Sequence, residues 1–405
     1  MSFYTGYCRV YQLMFKLVSP LLPWREPEII EGPGCLLELP TKLASRGIAN
    51  VLVVTDKGLI ALGLMTPLLE ALTKHGITHV VYDETVPNPT IGNIEAALKL
   101  YHSNQCQAII AFGGGSPIDC AKGVGARVAR PRKSVASMKG VLKVLHRLPL
   151  LVAIPTTAGT GSEATLAAVI SNPETHEKYP INDHSLIPHM AVLDPNLTLK
   201  LPKQITATTG MDALTHAVEA YIGRSNTKET EHDAIEATRI IMQDLLAVYA
   251  DGSDVVRRGN MLKVAYLAGK AFTRAYVGYV HAIAHTLGGF YGVPHGLANS
   301  VILPHMLTYF GSSAEKRLAD LARKSGAVAT ELNDADAAKA FITRIRAMNK
   351  SMAIPEAISG IKPEDIPLMV ERAFSEANPL YPVPRILDRR ELTEVFGIIS
   401  ARSKA

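Results

Sequence analysis

Two pairs of metal-type side chains stand four residues apart in this chain: Asp212 and His216 in Asp212-Ala-Leu-Thr-His216, and His281 and His285 in His281-Ala-Ile-Ala-His285. A fifth candidate, His295, follows in Pro294-His295-Gly296. On a helix, positions i and i+4 share a face, with Cβ atoms roughly 5–6 Å apart. A single such histidine on an apolar helix is ordinarily a buried, hydrogen-bonded residue. Here four of the 13 histidines and one aspartate fall in or just after two nearly uncharged helical segments. Burying so many polar groups is costly unless they are paired or bound to a cation. One carboxylate with three imidazoles suits Fe²⁺ or Zn²⁺. The residues therefore predict a metal centre, with the choice of three among the four histidines open.

A second pattern concerns phosphate. The apolar run 108–112 leads into Gly113-Gly114-Gly115-Ser116-Pro117-Ile118-Asp119, a strand, a glycine turn and a helix with proline at its first position. Glycines let the backbone approach a ligand, and a helix start offers free N–H groups and a positive dipole end. A glycine triplet is equally a plain tight turn. The turn is neither G-x-G-x-x-G nor a Walker loop, so an NTP site is not indicated. Thr156-Thr157-Ala158-Gly159-Thr160-Gly161-Ser162 also follows a strand and is placed to line the same crevice, at the carboxyl ends of the strands. Asp56, just past the strand 50–54, is read either as an acceptor for a ribose diol or as the N-cap of the next helix.

These groups need a scaffold, and its outline is legible. Short β-branched or aliphatic runs at 50–54, 79–82, 108–112, 150–154 and 190–193 alternate with helical patterns at 59–75, 91–102 and 117–127. That alternation predicts an α/β domain with a mostly parallel sheet. Beyond about residue 201 strand-like runs largely vanish, and helical segments such as 211–221, 229–249 and 313–326 dominate. The expected division is an N-terminal arm at 1–26, a dinucleotide-binding domain at 27–200 and an all-helical metal-binding domain at 201–405. The chain shows neither an internal repeat nor a low-complexity segment.

Composition narrows the function class. The chain has 405 residues, 47% of them hydrophobic and 20% charged, which supports sizeable cores. The formal net charge of +5 demands no acidic partner. One basic run, Arg127, Arg130, Arg132, Lys133, Lys139, Lys143 and Arg147, lacks interleaved aromatics and is read as a solvated face rather than a nucleic-acid site. Cys8, Cys35, Cys106 and Cys120 form no C-x-x-C pair; reduced thiols and a cytoplasmic setting are expected. No apolar run reaches the roughly 18 residues of a membrane span. The apolar start, 11–24, carries Lys16, Pro20 and Pro23 and is read as a packed arm, with membrane-surface contact the alternative.

Taken together, Gly-Gly-Gly-Ser-x-x-Asp, Pro-Thr-Thr-Ala-Gly-Thr-Gly-Ser-Glu, Gly-Met-Asp-Ala-Leu-Thr-His-Ala-x-Glu-Ala-Tyr and His-Ala-x-Ala-His…Pro-His-Gly resemble the iron-containing alcohol dehydrogenases. The resemblance runs from about Glu31 into the C-terminal region. It implies a dehydroquinate-synthase-like architecture: a nucleotide-binding α/β domain, an all-helical domain and a catalytic metal in the cleft between them. By motif, Asp212, His216, His281 and His295 would ligate Fe²⁺, with Zn²⁺ the other option, and His285 would lie beside the metal as a proton relay. Gly114, Gly115 and Ser116 would hold the pyrophosphate of NAD, faced by Thr156, Thr157 and Thr160. Asn88, Lys178 and Asp56 match further cofactor-contacting positions, and Phe272 a position lining the substrate pocket. A homodimer is also implied.

Two segments depart from the family pattern: Phe272-Thr-Arg-Ala-Tyr-Val-Gly-Tyr279, with Arg274, Tyr276 and Tyr279, and Asn378-Pro-Leu-Tyr-Pro-Val-Pro-Arg385, which replaces a cysteine-bearing stretch. The expected activity is hydride transfer between a small alcohol or aldehyde and NAD, the metal polarising the oxygen. The competing readings on this fold are a dehydroquinate-synthase-like lyase, which needs several cations around its metal, and a glycerol-dehydrogenase-like polyol oxidoreductase. A non-catalytic protein that kept the fold is a further rival, disfavoured by the intact donor set.

Overall fold

The computed structural model describes residues 3–401, Pro23 and His176 excepted. The chain forms two compact units: one of residues 23–201 and 252–266, the other of residues 1–22, 202–251 and 267–405. It opens with helix α1 (Phe3–Val18), which belongs to the second unit.

The first unit is α/β. Its elements run β1 (Glu28–Glu31), α2 (Leu39–Ala44), β2 (Asn50–Val54), α3 (Lys57–Ala61), α4 (Thr66–Lys74), β3 (Thr78–Tyr82), α5 (Ile91–Ser103), β4 (Ala108–Gly113), α6 (Gly115–Ala129), β5 (Gly140–Val141), β6 (Leu150–Pro155), β7 (Ala167–Asn172), β8 (Glu177–Asn182) and β9 (Met190–Leu193). Six strands form one sheet in the order β1-β9-β6-β4-β2-β3, with every pairing parallel. Successive strand residues point to opposite faces, and both faces are covered. Leu52, Val54, Ile109, Ala111, Leu151 and Ala153 join the core under α5 and α6. Val51, Val53, Ile110, Phe112, Val152 and Ile154 join a second core with Leu39, Leu68 and Leu72 from α2 and α4. This two-sided burial is why the strands read as continuous apolar runs.

The chain passes from β2 to β3 on one side and from β3 to β4 on the other, so the connections diverge between β2 and β4. Open α/β sheets bind ligands at such a switch point, beyond the carboxyl ends of the strands. Asp56 and the glycine turn stand at those ends.

Four features differ from the expected pattern, the first being the edge strand β1, whose run has one buried residue and gave no apolar signal. The helix expected at 59–75 is two helices, α3 and α4, because Gly63 turns the chain at φ +66° and Pro67 restarts it within the first turn of α4. α6 begins at Gly115, so Pro117 is its third residue rather than its first; its missing N–H is still one the first turn leaves unbonded. A small second sheet, β5-β8-β7, had no clear signal, since β5 is two residues long and β8 contains Pro180.

Buried charge fastens this small sheet to α6. Lys122, fully buried, donates from Nζ to Thr165 O at 2.9 Å, Thr165 Oγ1 at 2.9 Å and Ala167 O at 2.8 Å. Asp119 accepts from Ser162 Oγ at 2.7 Å and Val169 N at 2.9 Å. Asp119 thus holds the end of the 156–162 loop, and Lys122 the 165–167 segment that follows it, against α6.

The second unit is helical: α7 (Lys203–Ile222), α8 (Lys228–Ala250), the latter part of α9 (Val255–Ala275), α10 (Tyr279–Tyr291), α11 (His295–Phe310), α12 (Ser312–Lys324), α13 (Asp334–Ser351), α14 (Ile366–Ala377) and α15 (Arg389–Ile399). α7 is buried almost all round from Thr206 to Ile222. α10 is buried from Tyr279 to Gly288. A helix wrapped by neighbours carries no polar face, which accounts for the nearly uncharged sequence around each histidine pair.

Replacing Lys122 with Met would leave buried carbonyls without their donor, at roughly 1–3 kcal/mol. Urea unfolding of Lys122→Met should show a loss of that size. An unchanged midpoint would contradict the tie between α6 and the loop.

Candidate metal centre and dinucleotide cradle

In the helical unit, α7 carries Asp212 and His216 one turn apart, α10 carries His281 and His285, and His295 is the first residue of α11. One donor atom from each of Asp212, His216, His281 and His295 lies within 4.8 Å of the other three. Asp212, His216 and His281 are buried, at 1–3% exposure, and His295 is partly exposed. The His216 and His281 rings stack at 4.5 Å, and Phe272 stacks on His216 at 4.3 Å.

The tautomer of His281 follows from its partner. Glu219, one turn beyond His216 on α7, accepts from His281 Nδ1 at 2.6 Å, which turns the Nε2 lone pair the other way. The same carboxylate accepts from the backbone N–H of Gly278 and of Val280, each at 2.9 Å. It thereby satisfies donors at the start of α10 while fixing the ring. A side chain at position 278 would meet Glu219 Oε1 at 2.6 Å, so glycine is required there.

The donor lone pairs converge. Asn299, fully buried on α11, places Nδ2 2.6 Å from Asp212 Oδ1 and 3.2 Å from Nε2 of both His281 and His295. One carboxylate and three imidazoles aimed at one small volume, with a carboxylate behind one of the rings, fit a divalent ion of the Fe²⁺ or Zn²⁺ type.

His285 stands apart from this set. Its ring stacks on that of His295 at 5.2 Å, and its Nδ1 donates to Glu376 Oε1 at 2.7 Å. Tyr381 donates to the same Glu376 oxygen at 2.9 Å. Burial raises the Tyr381 phenol well above its ordinary pKa, so this hydroxyl remains a donor.

The flagged departures resolve into packing. Arg274 is ion-paired with Glu229. Tyr279 is fully buried; its hydroxyl lies 3.2 Å from Asn378 Oδ1 and accepts from Leu387 N at 3.0 Å. Burial raises the phenol of Tyr276 to about 12.

In the α/β unit, the glycine turn and the threonine loop meet. Thr156 N donates to Gly113 O at 3.0 Å. A Cβ on Gly114 would lie 3.1 Å from Thr157 Oγ1, and one on Gly115 would lie 2.8 Å from Thr160 Cγ2. Gly113, at φ +151°, has Pro117 2.6 Å from where a Cβ would stand. No side chain caps α6, whose N-cap is Gly114. Asn88 N donates to Ser116 Oγ at 3.2 Å, and Lys178 Nζ donates to Asn88 Oδ1 at 2.8 Å. An uncapped helix start, a bare glycine turn and an adjacent ammonium suit a pyrophosphate. Asp56 is the N-cap of α3, its Oδ1 accepting from Leu59 N at 3.0 Å, and Lys57 is ion-paired with Glu84 at 3.4 Å.

Glu219, Asn299, Glu376 and Tyr381 were not foreseen as site residues. Glu219 and Asn299 had a signal, since each lies a turn from a candidate ligand in sequence. Glu376 had none: it is 91 residues from His285.

Comparisons with known proteins identify the family. The family model described as iron-containing alcohol dehydrogenase matches residues 26–195, and that for the Fe-containing alcohol dehydrogenase family C-terminal region matches residues 206–399. The chain is 39% identical to a 1,3-propanediol dehydrogenase of Citrobacter freundii over 369 residues, covering 90% of this chain and 95% of that protein. It is 35% identical to an NAD-dependent methanol dehydrogenase of Bacillus methanolicus, covering 86% and 92% respectively. An alcohol dehydrogenase structure from Oenococcus oeni superposes with TM-score 0.88 at 35% identity, covering 93% of this chain and all of the other.

Glu219→Gln removes the charge behind His281 while keeping its size. Its divalent-metal affinity, measured by chelator competition, should fall roughly 10–100-fold. Unchanged affinity would show that Glu219 only caps α10.

Proposed function

The chain belongs to the iron-containing alcohol dehydrogenase family, and from that premise we propose that it oxidises small primary alcohols or diols, and reduces the matching aldehydes, with NAD and Fe²⁺. The observation that carries this reading is the cluster of Asp212, His216, His281 and His295 around one small volume. Zn²⁺ accepts the same donors and is the second option.

When bound, the ion supplies a Lewis acid for the substrate oxygen and the nicotinamide accepts or returns the hydride. The chain's own residues do the rest. Glu219 holds His281 in the tautomer that presents Nε2. Asn299 orients the Asp212 carboxylate. Glu376 holds Nδ1–H on His285, which leaves Nε2 as an acceptor for the alcohol proton. Phe272, stacked on His216, contributes an apolar wall suited to a short carbon chain. Ser116, Asn88 and Lys178 form one hydrogen-bonded string beside the pyrophosphate position, and Thr156, Thr157 and Thr160 form the opposite wall.

A lyase acting on a phosphorylated polyol is less well served. Such a substrate calls for several cations around the metal, whereas Glu219, Asn299 and Phe272, which touch the cluster, and Glu376, which holds His285, are acidic or uncharged.

The direct test is a substrate screen. Protein reconstituted anaerobically with Fe²⁺ should reduce NAD with short alcohols or diols, followed by absorbance of the reduced cofactor. No turnover with any alcohol or aldehyde would overturn the proposal.

Cofactor choice rests on Asp56. Its carboxylate still has an oxygen beyond the helix cap, and Lys57 is drawn to Glu84. NADP would bring a 2′-phosphate of nearly two negative charges toward Asp56 and Glu84, whereas the 2′-hydroxyl of NAD donates to a carboxylate. kcat/KM should favour NAD by at least about tenfold, or roughly 1.4 kcal/mol, and Asp56→Gly should narrow that ratio. Equal use of both cofactors by the unmodified enzyme would leave Asp56 as a cap alone.

A further inference from the structure

Helix α1 is seated the wrong way round for an amphipathic helix. The side facing the protein carries its main polar contacts, beside buried Cys8 and Tyr4 stacked on Phe374 at 5.5 Å. Arg9 donates to Val383 O at 2.8 Å and to Pro384 O at 3.0 Å. Gln12 donates to Pro379 O at 3.0 Å and to Tyr381 O at 2.8 Å. Lys16 donates to Arg224 O at 3.0 Å. Its apolar side faces outward. Phe3, Tyr7, Val10, Met14 and Leu17, with Leu21 in the turn that follows, are 51–96% exposed, and Leu13 and Val18 flank them at 55% and 46%.

Burial of apolar surface drives folding, so such a helix is unfavourable unless something covers it. Together these side chains present on the order of 1,000 Å² of apolar surface. The largest patch on a typical monomer is about 300–600 Å², and each partner in a standard interface contributes about 800 Å². The spacing is specific as well. Positions 3, 7, 10, 14, 17 and 21 alternate steps of four and three, the 3.5-residue period of a helix–helix seam. The helix precedes residue 26, where the family match starts.

We propose that the outer face of α1 packs against the same face of α1 in a second copy of this chain, across a two-fold axis. An isologous pairing needs only one self-complementary patch and closes at two copies. A lipid surface fits the face less well. A helix lying in a membrane interface keeps its cations free for headgroups, whereas Arg9 and Lys16 are bonded to backbone carbonyls of their own chain. The apolar seam at a heptad period instead calls for another helix of like pattern.

The test compares the mass of the full chain with that of the double variant Met14→Glu, Leu17→Glu by sedimentation velocity. Neither residue touches the metal cluster or the glycine turn, so alcohol turnover serves as the check that the variant is folded. The mass should halve, as follows where the α1 pairing is the only link between the two copies or two assemblies it joins. Equal mass for the two proteins, or a monomeric full chain, would overturn the proposal. Flotation of both proteins with phosphatidylcholine–phosphatidylglycerol vesicles separates the other source. Vesicle binding lost in the variant, with mass unchanged, would assign the face to a lipid surface and likewise overturn the pairing.

Discussion

A single buried carboxylate ties the helical unit together at its chemical centre. Glu219 is 4% exposed, and such burial is unfavourable for an ionised group unless strong donors surround it. Three donors do: two backbone N–H groups at the start of α10 and the imidazole of His281. Those bonds fix where α10 begins relative to α7 and which way the His281 ring faces. Removing the carboxylate would strand three donors at once. The placement of His281 against Asp212 and His216 follows from this one side chain.

The α/β unit relies on a comparable device. Asp119 and Lys122, both on α6, reach the 162–169 segment, so the helix that begins at the glycine turn also fixes the end of the threonine loop. Burial acts against charge on both: it raises the carboxyl of Asp119 and lowers Lys122 to about 8. Hydrogen bonds offset that penalty. Each unit thus uses buried polar groups, rather than added apolar packing, to position the residues read as functional. Fully bonded networks of this kind are rigid, whereas partly bonded ones are costly.

Much of this was legible beforehand, for identifiable reasons. Strands buried on both faces announce themselves as apolar runs, so β2, β4, β6 and β9 stood where expected. Asp212, His216 and His281 were visible because i and i+4 spacing on uncharged helices is unusual for polar residues; the same spacing marked His285 equally, and only the family resemblance chose His295 over it. Asp56 was read two ways, and its capping bond is present in the structure. The break between α3 and α4 was lost because Gly63 and Pro67 sit inside an otherwise helical apolar pattern. Glu376 and Tyr381 were invisible because nothing local links them to His285; the fold alone brings them together. The start of the chain was expected as a packed arm. Arg9 and Gln12 share the packing with Cys8 and Tyr4 while a row of large apolar residues faces outward, which hydrophobic patterning does not reveal.

The central claim is that one divalent ion is held by one carboxylate and three particular imidazoles. The most direct measurement is a crystal structure of the Fe²⁺-loaded chain with anomalous data collected on both sides of the iron absorption edge. The account predicts one iron peak per chain, bonded to Asp212, His216, His281 and His295, with His285 outside the coordination sphere and on Glu376. An iron peak elsewhere, or one bonded to His285 in place of one of the four, would contradict it.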